Sequence, residues 1–190
     1  MTTIVVTRKD SLVCIGADSM AKYGETLEPA EYIVNHDKLI AVGDAWLGPT
    51  GPASAQLLLV SYFSESEQQR DFSGVHAIYE TLREMQAVLK EDYFLNPKED
   101  ERDPFDSMQM EILIASPSGI FGAYPLRSVQ EYTRFYAFGS GAELALGAMY
   151  AVWETAADAQ QVARAGLEAA ATFDDSSSGP FTLHTVALGG

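Results

Sequence analysis

TIVVTRKDSLVCIGAD, residues 3–18, is the stretch from which the fold can be read. TIVVT (3–7) reads as a strand, RKDS as a turn, and LVCIGAD (12–18) as a second strand that ends on Asp18. Chain termini are usually polar and frayed. In this chain Thr2 and Thr3 lead straight into core-forming sequence, with no leader expected before them.

Beyond Asp18 the segment to Asp37 is polar and irregular, punctuated by Gly24 and Pro29. KLIAV (38–42) predicts a third strand, Gly43-Asp44 a hairpin turn, and AWLG a fourth strand that GPTGP should break. Two helices are expected next. Ala55, Leu58, Leu59 and Tyr62 share one face of the first; Val75, Ile78, Leu82, Met85 and Leu89 line the second. NPKEDERDPFDS (96–107) predicts a charged, solvated loop. MEILIAS (110–116) and GIFGAYP (119–125) predict a hairpin about Pro117-Ser118, and 128–141 a further strand ending in Gly-Ser-Gly. A third helix starts near Ala142, Asp158 is the expected N-cap of a fourth, DDSSSGP is a polar loop, and FTLHTVAL a closing strand.

Strand hairpins separated by helix pairs argue against a doubly wound parallel sheet. They predict an α+β fold, a four-layer αββα sandwich of two antiparallel sheets flanked by helix pairs, with residues 1–190 as one domain. Apolar residues make up 47% of the 190, as in ordinary globular chains. No apolar run is long enough to span a bilayer, so a cytoplasmic location is expected. The single Cys14, in an apolar stretch, excludes an internal disulfide framework and reads as a buried core residue. With 27 acidic and 12 basic residues the net charge is −15, a poor surface for nucleic acid or anionic membranes. An acidic surface or cavity would favour basic peptides.

Removal of Met1 would leave Thr2 with its hydroxyl and a free α-amine on one residue. An α-amine has a pKa near ~8, close enough to neutrality to take the hydroxyl proton. That pairing is the Thr–N-terminal-amine form of an activated nucleophile. A threonine in second position is by itself a weak signal. It gains weight from TTIV at the start, GADS at 16–19, KLIAVGDAWLG at 38–48, FGSGAE at 138–143 and DDSSSG at 174–179. In this order the blocks resemble the proteasome β-subunit family of N-terminal-nucleophile hydrolases, and most of all its small bacterial members. These are the peptidase of the two-component ATP-dependent protease (HslV) and a short proteasome homologue of betaproteobacteria.

The resemblance implies roles. Thr2 is the expected nucleophile, and Asp18 pairs with Lys38, which lowers the amine's pKa by like-charge repulsion. Lys38 is preferred over a position near Ala30 or Glu31 because KLIAV-GD-AWLG then fits without further gaps. The extra residues around Leu27–Val34 then lengthen a loop beside the site. Ser140 matches the serine beside the terminal amine. Asp175 and Ser178 match an Asp-x-x-Ser pair that orients it, with Asp174 leaving that assignment open by one position. Gly51 is the expected oxyanion donor, and Met20, Lys22, Pro49 and Thr50 the expected lining of the substrate groove.

The implied protein is a threonine endopeptidase acting on peptides or unfolded proteins. It would assemble as identical subunits in stacked rings, with an ATPase unfoldase as a family partner that nothing in the chain demonstrates. No cofactor is expected, and the scattered His36, His76 and His184 lack a metal-ligand spacing. Two other readings stand beside it: a catalytically silent shell subunit that keeps Met1, and an N-terminal-nucleophile amidohydrolase acting on a small amide.

Overall fold

A computed structural model describes residues 2–65, 70–98 and 102–189. Strands β1 (Thr3–Lys9), β2 (Leu12–Ala17), β3 (Ala21–Tyr23), β4 (Thr26–Glu28), β5 (Ile40–Val42) and β6 (Ala45–Thr50) precede helices α1 (Ala55–Glu65) and α2 (Val75–Glu91). Strands β7 (Glu111–Ser116), β8 (Gly119–Ala123), β9 (Val129–Tyr132) and β10 (Phe135–Gly139) lead to α3 (Ala142–Val152), α4 (Ala159–Phe173) and β11 (Thr182–Ala187). The charged stretch 96–107 lies partly outside the described residues.

One antiparallel sheet has the order β10-β1-β2-β11 and the other β5-β6-β7-β8-β9. The period of two along each strand builds the layers. Ile4 and Val6 of β1 and Val13 and Ile15 of β2 meet Leu113 and Ala115 of β7 between the sheets. Their neighbours Val5 and Cys14 face the other way, onto Met149 of α3 and Val162 and Leu167 of α4. Ile112 and Ile114 of β7 turn outward onto Leu59 of α1 and Ile78, Leu82, Met85 and Leu89 of α2. Both faces of the inner strands are therefore covered, which gives the expected α+β sandwich of helices, sheet, sheet and helices. Each such buried aliphatic side chain stabilises the fold by roughly 1.5–3 kcal/mol. Cys14 is fully buried, and burial pushes its thiol up to about 12, which leaves it an inert core residue.

The N-cap expected at Asp158 is present, its carboxylate accepting the Gln161 N–H at 2.8 Å. Four details differ from expectation. GPTGP ends the fourth strand later than expected, since β6 runs on through Pro49, opposite Ile112, and stops at Thr50. Its other neighbour β5 reaches only Leu47, so Pro49 sits where that side of the strand has no partner and a missing N–H costs little. The stretch 128–141 holds two strands, not one: β9 closes the five-stranded sheet and β10 crosses to the other. The irregular segment after Asp18 folds into a β3–β4 hairpin turning at Gly24 and a short 3-10 turn at Ala30–Tyr32. Val75 is exposed, because it stands at the first residue of α2, before the buried stripe begins at Ile78. No described helix is long and apolar enough to cross a membrane.

Candidate functional site

The register of β1 against β10 pairs Thr3 with Gly139 and so brings Thr2 to the Gly139-Ser140-Gly141 turn. The Ser140 N–H donates to the Thr2 carbonyl at 3.0 Å. Gly139 has φ +99, and a Cβ there would run into that same carbonyl, so the close approach requires glycine. On the other side the Thr3 N–H donates to Asp18 Oδ1 at 2.9 Å, and the Asp18 N–H to the Thr3 carbonyl at 3.2 Å. The Thr2–Thr3 backbone is thereby tethered to the turn after β10 and to Asp18 at the end of β2.

Asp18, 2% exposed at the end of β2, also takes Lys38 Nζ on Oδ1 at 2.8 Å. Its second oxygen accepts the Met20 N–H at 3.0 Å and, at 3.4 Å, the Ser178 N–H. Burial pulls the Lys38 ammonium below its ordinary range, and the Asp18 charge pulls partly back. Lys38 is therefore the lysine that reaches Asp18, whereas Ala30 and Glu31 stand in the 3-10 turn.

On the opposite flank the structure brings Asp174 and Ser177 together with Ser140, rather than Asp175 and Ser178. Asp174 Oδ2 accepts the Ser140 hydroxyl at 2.8 Å and the Ser177 hydroxyl at 2.7 Å. The Ser177 hydroxyl also lies 2.7 Å from the Thr3 hydroxyl, which accepts the Gly141 N–H at 3.0 Å. Asp175 points outward with its side chain 86% exposed, 3.8 Å from Lys22. Ser178 serves through its main chain, accepting the Ser19 N–H at 3.0 Å. The reason is the end of α4: Asp174 caps the helix and is turned back onto Ser140, which leaves the next residue facing solvent. Thr3 and Ser177 were not anticipated; the Thr-Thr doublet and the repeated Asp-x-x-Ser spacing are the only sequence signals for them.

Burial pushes the Asp174 carboxyl up, but the hydrogen bonds from Ser177 and Ser140 outweigh it and hold the group below its ordinary 3.8. For a depressed carboxyl this contribution to stability is complete above pH 3.8 and is lost as pH falls through the lower folded value. Asp174→Asn is expected to lower the activity proposed below by tenfold or more, with Asp175→Asn unchanged; paired rate measurements on the two variants check this. Equal effects would remove Asp174 from the site.

Two clefts meet at Thr2 and Gly51. One, of about 400 Å³, is lined by Thr2, Met20, Lys22, Lys38, Pro49 and Gly51. The other, of about 310 Å³, includes Thr2, Thr50, Gly51, Glu111 and Ser140. Thr50 thus belongs to the second cleft, where its hydroxyl donates to Glu111 at 3.0 Å. Gly51 has φ +129, and a Cβ there would lie 2.8 Å from the Gln109 carbonyl, so only glycine fits. The segment after β4 contributes Ile33, Asn35 and His36 to the wall of the first cleft. Among the described residues no cluster of His, Cys, Asp and Glu could hold a metal ion.

No family model and no curated protein matches the chain. Solved structures do. BPH, a bacterial proteasome homologue of Thiobacillus denitrificans, in complex with epoxomicin superposes with a TM-score of 0.92 at 39% identity, over 99% of this chain and 100% of that one. A second structure of Thiobacillus denitrificans BPH gives 0.92 at 40% identity, over 98% of each chain. Eukaryotic HslV from Trypanosoma brucei gives 0.69 at 18% identity, over 97% of this chain and 99% of that one, a likeness of fold.

Proposed function

The chain belongs to the proteasome β-subunit/HslV family of peptidases, and from that premise we propose that it is an N-terminal threonine peptidase with Thr2 as its nucleophile. The observation that carries the proposal is the place of Thr2. It stands at the junction of two clefts, with a buried Asp18–Lys38 pair on one flank and the Ser140–Asp174 pair on the other. A peptide laid across that junction presents its carbonyl to a residue whose backbone is already held on both sides.

In this reading the Met1–Thr2 bond is cut and the Thr2 α-amine takes the proton of the Thr2 hydroxyl. The oxygen attacks the peptide carbonyl, and the tetrahedral oxyanion is met by the Gly51 N–H, a donor worth roughly 3 kcal/mol in the transition state. Collapse expels the leaving amine with the proton and leaves an ester on Thr2. Water, deprotonated by the same amine, releases the acid product. The Lys38 charge keeps the amine basic only near neutrality, and Asp18 holds that lysine in place. Ser140, oriented by Asp174, steadies the Thr2 backbone. Met20, Lys22 and Pro49 shape the groove.

The same proposal takes residues 1–190 as one such domain, in a cytoplasmic protein acting on peptides or unfolded chains. Identical subunits in stacked rings would enclose the sites, since a peptidase of low selectivity must be kept from folded proteins. An unfoldase partner stays an expectation of the family likeness.

Intact mass spectrometry tests the proposal, with the peptide epoxyketone epoxomicin as probe. The expected result is loss of one methionine and a stoichiometric adduct on Thr2. A protein that keeps Met1 and takes no adduct would be the silent shell subunit instead.

A further inference from the structure

Asp37, the residue before Lys38, makes two hydrogen bonds and one longer contact. Its Oδ1 accepts the Leu39 N–H at 2.9 Å, and its carbonyl accepts a hydrogen bond from Gln56 Nε2 of α1. Its Oδ2 lies 3.6 Å from His184 Nε2 on β11. Among the described residues that nitrogen is buried and makes no hydrogen bond, and the Asp37 carboxylate lies beside it. The imidazole itself is fixed by a face-to-face stack on Trp46, with ring centres 3.5 Å apart and planes 7° apart.

The surroundings of this contact give it a purpose. His184 lies opposite Ile15 on β2, the strand that ends at Asp18, while Trp46 lies opposite Ala41 on β5, the strand that follows Lys38. The Trp46–His184 stack therefore joins the two sheets beside the segment that carries the lysine. Asp37 faces β11 across the 3.6 Å contact with His184, longer than a hydrogen bond, while Lys38 donates to Asp18 at the end of the adjacent β2 at 2.8 Å. Two successive residues thus face two neighbouring strands, and the hydrogen bonds of Asp37 to the Leu39 N–H and from Gln56 hold the backbone from which the Lys38 side chain reaches into the site. A long, flexible side chain such as that of Lys38, 16% exposed, holds one geometry best when its backbone is fixed.

We infer that Asp37 and His184 form a clamp that sets Lys38 against Asp18, which makes both of them positioning residues for the reaction proposed above. The inference rests on that reading for its effect on rate, but the clamp itself is observable without any activity.

Three variants test it: His184→Phe, which keeps an aromatic ring to stack on Trp46 and loses the nitrogen; Asp37→Asn, which keeps an acceptor for the Leu39 N–H and loses the charge; and the double variant. The first readout is the rate of reductive methylation of Lys38 by formaldehyde and borohydride, followed by peptide mass spectrometry. Each single variant is expected to raise that rate several-fold, and the double variant no further, as two members of one unit behave. The second readout is kinetic. A misplacement of a fraction of an ångström is expected to lower kcat by about tenfold to a hundredfold with KM unchanged. A methylation rate equal to that of the unaltered chain, or effects of the two substitutions that simply add, overturns the clamp. Faster methylation in the variants, of a protein whose unaltered chain cleaves no peptide, upholds the clamp and overturns the peptidase reading.

Discussion

Thr2→Ala leaves a folded protein that cleaves no peptide and takes no epoxomicin adduct. The hydrogen bond from the Ser140 N–H to the Thr2 carbonyl runs through the main chain, and alanine retains it. What is lost is the hydroxyl on which the whole covalent sequence depends, and the adjacent Thr3 hydroxyl cannot replace it, being fully buried and committed to Ser177 and the Gly141 N–H. Removing a nucleophile of this kind typically costs orders of magnitude in kcat, leaving only what binding and oxyanion stabilisation supply. A fluorogenic peptide assay beside a thermal melt checks it. Cleavage at the unaltered rate would mean that another residue does the chemistry.

Lys38→Ala is the second large effect, and it reaches both rate and stability. Lys38 donates to a carboxylate that is 2% exposed, and removing one partner of a buried pair costs about 3–5 kcal/mol. The lower end is expected, because Asp18 still accepts the Thr3 and Met20 N–H groups. The rate should fall by roughly 10²–10⁴, the contribution of a positioned group in proton transfer. A pH titration of stability distinguishes this lysine from a surface one. Burial depresses its folded value below 10.5, so the unfolded chain binds the proton more tightly, and stability of the unaltered protein rises with pH from the folded value up to 10.5. The Lys38→Ala variant should lack that rise. Full activity in it would show that another residue serves the amine.

Much of the fold was legible because it is written in short periods. The stripes Ile78, Leu82, Met85 and Leu89 on α2 and Ala55, Leu59 and Tyr62 on α1 are the residues found buried. Thr3–Lys9 and Leu12–Ala17 are the strands expected from TIVVT and LVCIGAD, with Asp18 just past the second. The misreadings fall where local pattern and long-range pairing disagree. Pro49 looks like a strand breaker until β5 is seen to stop short of it. The single strand expected before Ser140 is two, because the chain leaves one sheet for the other between Tyr132 and Phe135.

By itself the sequence determined the alternation of strand hairpins and helix pairs, a threonine placed directly before a core strand, and an aspartate at the end of the next. Periods of two and 3.6 are local properties that any reader of the chain can count. Only the tertiary structure decided which carboxylate serves Ser140. Asp174 with Ser177 and Asp175 with Ser178 satisfy one and the same spacing, and the choice is made by the direction in which α4 ends against the turn after β10. The meeting of Asp37 with His184 was equally invisible, since it depends on two sheets packing face to face and no periodicity connects residues so far apart in the chain.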